Sequence, residues 1–166
     1  MILAASDFEG GKYQISYDPN TQTDLEVYLT DDNEKSLLYE LMGKTEADGF
    51  IADLVSGVPV TAKWTAIFNW FSYNEDSEVI TCDGLKEYLK GRVYYQYVSQ
   101  QPIVNLAQGN ARLTNDASVE ESLVTKEIVL YNRVIHEGEK IQYYMYWESA
   151  TYLDFNGNKL YFASPL

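Results

Sequence analysis

The sequence predicts a mainly α-helical domain, a small helical bundle with short β-hairpins. Three observations predict it. Apolar residues recur at helical spacing along most of the chain, most completely at Trp64, Ile67, Phe68 and Phe71, which fall at i, i+3, i+4 and i+7. Helix-start signatures, a Thr or Ser followed three residues later by an acid, occur at Thr23-Asp24-Leu25-Glu26, Thr45-Glu46-Ala47-Asp48 and Ser118-Val119-Glu120-Glu121. Two places carry hairpin chemistry, near residues 71–82 and 152–162. With 166 residues the chain fits one domain, large enough to bury a core with no disulfide or metal staple.

The first twenty residues read as an irregular N-terminal arm. Gly10-Gly11 interrupts it, Tyr13-Gln14-Ile15-Ser16-Tyr17 alternates with the period of a strand, and Asp18-Pro19-Asn20 marks a turn. A helical core is expected over 21–150. The box at Thr23 opens a first helix carrying Leu25, Tyr28 and Leu29, then Leu37, Leu38, Leu41 and Met42. Asp31-Asp32-Asn33-Glu34 is a place where it can divide, and Gly43 is a stop. The box at Thr45 opens a helix with Phe50, Ile51, Leu54 and Val55 on one face, ended by Gly57 and Pro59. The Trp64 stripe follows, then a small hairpin whose second strand contains Glu78-Val79-Ile80-Thr81-Cys82.

Asp83 is read as the cap of a helix from about Gly84 to Gln101, with Leu85, Leu89, Val93 and Tyr97 along one side and Tyr88, Tyr94 and Tyr95 beside them. Pro102 ends it. Residues 103–117 form a long, charge-poor loop rich in Asn and Gln; a connection of that length in a compact domain is commonly functional. The box at Ser118 opens a last helix with Val124, Ile128, Tyr131, Ile135, Ile141 and Met145 on one stripe and a weak point at Gly138. Its end, Tyr143-Tyr144-Met145-Tyr146-Trp147, is apolar most of the way round and needs burial in the core or in a partner. Asn156-Gly157 then predicts a C-terminal hairpin extension that sets Phe155 opposite Asn158, Asp154 opposite Lys159, Leu153 opposite Leu160 and Tyr152 opposite Tyr161.

Composition narrows the function. Twelve basic residues face 25 acidic ones, for a net charge of −13, so binding to DNA, RNA or an anionic membrane surface is not expected. No apolar run approaches the roughly 20 residues of a spanning helix. The start, Met1 to Ser6, meets Asp7 and Glu9 with no basic residue before them and does not read as a signal peptide. Cys82 is the only cysteine and His136 the only histidine. They read as a small apolar filler and a polar helix residue, which leaves no thiolate cluster or imidazole pair for a metal. Fifteen tyrosines supply amphipathic contact area of the kind enriched at protein interfaces.

Phosphate loops, nucleophile elbows and zinc-protease signatures are absent. Carboxylates such as Asp31-Asp32, Asp48 with Asp53, and Glu120-Glu121 occupy caps and polar faces, and Asp31 to Glu34 lacks the spacing and central Gly of a calcium loop. The chain is therefore read as a non-enzyme with no catalytic residue, cofactor or metal.

The order of features resembles the small head-tail connector (adaptor) proteins of tailed phages, especially those infecting Bacteroidetes (crAss-like and related). The matching elements are Phe8-Glu9-Gly10-Gly11-Lys12-Tyr13, Glu34 with Leu37-Leu38-Tyr39-Glu40-Leu41-Met42-Gly43, Gly57-Val58-Pro59, the Trp64 helix, the hairpin into Gly84-Leu85-Lys86, Tyr94-Tyr95-Gln96-Tyr97 and Tyr131-Asn132. They cover residues 8 to 135, and their specificity lies in their order. Departures are Met42, where a Leu is expected before the Gly, and the Tyr-rich C-terminus.

The resemblance implies a helical virion subunit, made in the host bacterial cytoplasm. It assembles with itself as a ring, typically of about twelve copies. The ring joins the portal protein to the tail or to further neck proteins, has no membrane contact, and leaves a channel through which DNA passes as cargo. An acidic lumen would let phosphates slide without sticking. The alternatives are an acidic binding module, such as a DNA mimic or an immunity-type inhibitor, or another phage neck or tail-completion protein.

Contacts are expected from the loop, through Asn105, Gln108, Asn110 and Asn115. Others are expected from Tyr152, Phe155, Tyr161 and Phe162 of the C-terminal hairpin, and from Tyr94 and Tyr95. On that reading residues 151–166 are needed for assembly and dispensable for folding.

Overall fold

The computed structural model describes residues 1–15, 19–75, 77–100 and 117–162, with the side chains of 19–22 and 117–126 outside the description. It is mainly helical with two short antiparallel hairpins. The helices are α1 (Pro19–Glu26), α2 (Asp31–Met42), α3 (Lys44–Ala52), α4 (Ala62–Phe68), α5 (Leu85–Gln100) and α6 (Ala117–Trp147). The hairpins pair β1 (Leu54–Val55) with β2 (Val58–Pro59), and β3 (Phe71–Glu75) with β4 (Glu78–Cys82).

Helix starts differ from the expected boxes for local reasons. α1 begins at Pro19, whose fixed φ and missing amide hydrogen suit a first turn, so Thr23 lies inside the helix. The break comes just before Asp31, and the cap of α2 is Thr30, whose hydroxyl accepts the Asn33 amide at 3.2 Å. Gly43 alone joins α2 to α3, so Thr45 has no room to act as a cap. Asp83 does not cap α5, because its carboxylate pairs with Lys12 instead. Gly57 and Pro59 do more than end a helix: Ser56 and Gly57, at φ 52° and 79°, make the tight turn between β1 and β2. The Trp64 stripe stops at Phe68, and Phe71 opens β3.

The hairpin expected over 71–82 is present, with Phe71 opposite Cys82, Tyr73 opposite Ile80 and Glu75 opposite Glu78. α6 runs unbroken through Gly138 because that glycine is a close-approach site. A Cβ there would lie 2.6 Å from both the Tyr88 ring and Leu160. Tyr88 near Gly138, Gly91 near Val134 and Tyr95 on Tyr131 show that α5 and α6 pack antiparallel.

The core gathers Leu37, Leu38, Leu41 and Met42 of α2, Phe50 of α3, Trp64 and Ile67 of α4, and Leu85, Leu89 and Val93 of α5. Val134, Ile135, Ile141 and Met145 complete it from α6. The N-terminal segment is not a free arm. Ile2, Leu3, Phe8, Tyr13 and Ile15 are all buried, and residues 13–15 form no strand. Buried Glu34 holds the segment down by accepting the Ile2 and Leu3 amides at 2.7 and 2.8 Å. Burial pushes this carboxyl above its ordinary value, against the pull of those two amides.

The C-terminal hairpin extension does not form either. None of the expected cross-strand pairs occurs, and the segment lies as extended chain against the end of α2. Asn158 donates its amide to the Glu40 carbonyl at 2.8 Å and Asn156 to Met42 at 3.3 Å. The Gln142 side-chain amide of α6 donates to the Leu41 carbonyl at 2.7 Å. The last carbonyls of a helix have no partner within it, and here they capture the amides that a hairpin would have paired internally. Tyr152 and Leu160 are buried by this docking while Leu153 and Tyr161 face solvent. Residues 151–162 therefore belong to the folded body, contrary to the expectation that they are dispensable for folding. Most of the 103–117 loop, with Asn105, Gln108, Asn110 and Asn115, lies outside the described residues.

Cys82 is buried on β4, its thiol directed at the Glu137 carbonyl at 3.8 Å, and burial pushes its pKa up to about 12. A thiol reagent at neutral pH should modify it only after unfolding. Rapid stoichiometric labelling of the native chain would contradict this placement.

Glu137 joins α6 to the loop before α5, accepting the Asp83 amide at 2.9 Å and the Lys140 ammonium at 2.7 Å. Burial raises its pKa, but these two bonds together outweigh burial and leave the carboxyl below its ordinary 4.5. A lowered folded-state pKa contributes stability that is present above 4.5 and is lost as pH falls through the folded value. Glu137→Gln is expected to cost about 1–3 kcal/mol at pH 7. Urea titrations should show the gap to the parent narrowing below pH 4.5, and a constant gap would contradict the assignment.

Candidate assembly surface

The side chains that the fold leaves with the most unused contact area lie at the end of α6. Helical spacing divides this apolar stretch between two faces. Ile141 and Met145 point into the core, while Tyr143, Tyr146 and Trp147 point outward at 36, 71 and 60% exposure.

A continuous aromatic stack connects the two faces. Tyr144 packs on Phe71 at 5.0 Å, on Tyr73 at 5.6 Å and on Tyr152 at 6.3 Å between ring centres. Tyr73 stacks on Tyr143 at 6.2 Å, and Tyr143 meets Trp147 edge-on at 6.2 Å. The Tyr73 hydroxyl donates to the Lys140 carbonyl at 3.3 Å. The exposed rings thus sit on a base fixed by β3 and the core, which lowers the ordering cost of a contact made there.

Carboxylates surround these rings. Glu75 and Glu78 face each other across the β3–β4 turn, and Glu148 follows Trp147 directly. Burial, and after it the charge of Glu75, pushes the Tyr73 phenol up to about 12. Burial and then Glu148 raise Tyr144. Lys140, the cation of this stretch, is held by Glu137. The same holds over much of the molecule: Lys86 pairs with Asp7, Lys63 with Glu46, Arg92 with Glu40, Lys90 with Glu87 and Lys44 with Asp48. Positive charge is consumed locally, and the excess of carboxylates is left to the surface.

The residues expected from sequence to make contacts are scattered. Tyr94 and Tyr95 are half-buried against Tyr13 and Tyr131, at 5.7 and 4.8 Å. Tyr152 is 2% exposed and donates its hydroxyl to the Lys63 carbonyl at 2.7 Å, so it is a core residue. Phe155 packs partly buried on the core. Tyr161 and Phe162 are exposed. Tyr73, Tyr143, Tyr146 and Trp147 were not among them. The signal for three of these was the all-round apolar helix end. The fourth, Tyr73, is recruited from 70 residues away by the tertiary fold.

Elsewhere, a groove of about 530 Å³ lies between the N-terminus, the start of α2 and the β1–β2 turn. Its carboxylates are already engaged, Glu34 by the Ile2 and Leu3 amides and Asp31 by the Met1 amine at 2.9 Å. Among the described residues no group of three or more His, Cys, Asp or Glu is placed to hold a metal. Among them, too, no helix is long and apolar enough to cross a membrane. Set against known protein families, curated proteins and solved structures, the chain matches none.

Proposed function

We propose that the chain is a structural assembly subunit, a head-tail connector ring protein that joins portal to tail in a tailed phage. The observation that carries the assembly role is the pre-formed aromatic face at the end of α6, set in an acidic surface. Exposed tyrosine and tryptophan on a rigid base give much contact area for little lost freedom.

The connector assignment rests on the ordered motifs, several of which supply core or turn positions of the fold. Phe8, Leu37 to Met42, Trp64 and Leu85 are buried, and Gly43 and Gly57 make tight connections. A protein of that family shares its fold through such positions and varies at its contact surfaces. Here the variable part includes the Tyr-rich C-terminus.

A net charge of −13 fits a wall past which DNA slides. No DNA affinity is expected at physiological salt, because twelve basic residues are outnumbered and many are paired with neighbouring acids. A gel shift at micromolar protein that weakens with salt would count against the channel role.

The test of the reading is the mass of the purified chain by light scattering, alone and with the portal protein of the same genome. A connector gives one discrete oligomer that the portal promotes. A monomer or dimer that ignores portal and captures a basic enzyme would instead identify an inhibitor.

A further inference from the structure

We propose that the aromatic end of α6 is the docking site for a lysine- or arginine-bearing segment of a different protein, rather than for a second copy of this chain. The inference rests on the assembly reading in taking this face as a contact, and adds the chemistry of what covers it.

The first argument is charge complementarity. The exposed rings of Tyr143, Tyr146 and Trp147 are framed by Glu75, Glu78 and Glu148, and the neighbouring cation, Lys140, is already bonded to Glu137 at 2.7 Å. A partner seated on the rings must face these carboxylates. A basic segment gains from them, whereas a neutral or acidic one loses their hydration without return.

The second argument excludes a second copy. If two copies met through this same face, their glutamates would oppose one another, and each chain carries −13. If another face of a copy were used, its cations would have to leave their own pairs, since most of those described are already bonded to an acid.

The third argument is a completed version of the same chemistry inside this molecule. Lys63 lies over the Trp64 ring at 4.4 Å and the Tyr152 ring at 5.2 Å, with its ammonium 2.6 Å from the Glu46 carboxylate. There a tryptophan, a tyrosine and a glutamate hold one ammonium. At the end of α6 the same three side-chain types are exposed together, with no cation over their rings among the described residues. An ammonium or guanidinium from outside completes the set, bound by the ring faces and the acidic rim.

The experiment uses the full chain and a short synthetic peptide alternating lysine with leucine, with the matching glutamine–leucine peptide as control. Binding is read by calorimetry and tryptophan emission. The lysine peptide is expected to bind saturably, with a blue shift. The double variant Tyr146→Ser/Trp147→Ser, whose exposed positions leave the core intact, is expected to lose about tenfold or more in affinity. Asp32→Asn, removing a distant surface charge, should leave affinity within about twofold.

Equal binding by the double variant would overturn the proposal, since the peptide would then be coating acidic surface at large. Equal binding of the glutamine peptide would also overturn it. Light scattering separates this inference from the assembly reading. If the double variant loses self-association that the parent shows, the occupant is a second copy and the proposal is wrong. If the parent does not self-associate at all, the ring reading fails while peptide binding still decides this one.

Discussion

Removing residues 151–166 is expected to abolish cooperative folding. Tyr152 and Leu160, at 2 and 4% exposure, fill the core from this segment, and truncations of that size cost about 3–5 and 2–5 kcal/mol. The amides of Asn156 and Asn158 also leave, exposing the Met42 and Glu40 carbonyls of α2. The sum approaches the whole stability of a typical domain, about 5–15 kcal/mol. Thermal unfolding followed by near-ultraviolet dichroism should show no sharp transition in the truncated chain.

Gly157→Val tests the same docking with every other residue retained. A Cβ at Gly157 would lie 2.0 Å from the Leu41 carbonyl oxygen, so the segment must lift from α2. A loss of about 1–3 kcal/mol follows, lowering Tm by roughly 4–12 °C. A truncated chain that melts cooperatively at the parent temperature would show that the segment is an appendage.

Glu34→Ala is the second substitution expected to act strongly. The carboxylate is the acceptor for two buried amides, and alanine leaves both without a partner. An orphaned buried donor costs about 1–3 kcal/mol, so the pair costs about 2–6. The damage should localise, since Ile2 and Leu3 lose their attachment to α2 before the α5–α6 pair is affected. Glu34→Gln keeps one acceptor oxygen but turns an NH₂ toward the other amide, and should fall between parent and alanine. Hydrogen exchange reads this directly, as fast exchange confined to the Ile2 and Leu3 region. Unchanged protection there would contradict the role given to Glu34.

What was legible in the sequence was the local part of the fold. The hairpin over 71–82 and the Trp64, Ile67, Phe68 face depend on neighbours a few residues away, and the residue pattern reports them directly. The Asn156-Gly157 signal was equally local, but the open carbonyls of α2, more than a hundred residues earlier in the chain, overrode it. Glu34 read as one acid in a polar run because its partners lie 31 and 32 residues away. Gly138 read as a weak point because Tyr88 and Leu160 meet it only in the tertiary structure. Tyr143 to Trp147 stood out as a helix end needing cover. The sequence could not show that Tyr73 would stack beneath it or that Glu75 and Glu78 would stand beside it, since both depend on the packing of β3 and β4 against α6.

The assembly role is tested most directly by a cryo-electron-microscopy reconstruction of the neck of particles produced from the genome that carries this reading frame. The account predicts a closed ring of this chain between portal and tail, with the α6 aromatic face covered by a basic segment of an adjoining protein. Complete particles whose neck contains no density for this fold would contradict it.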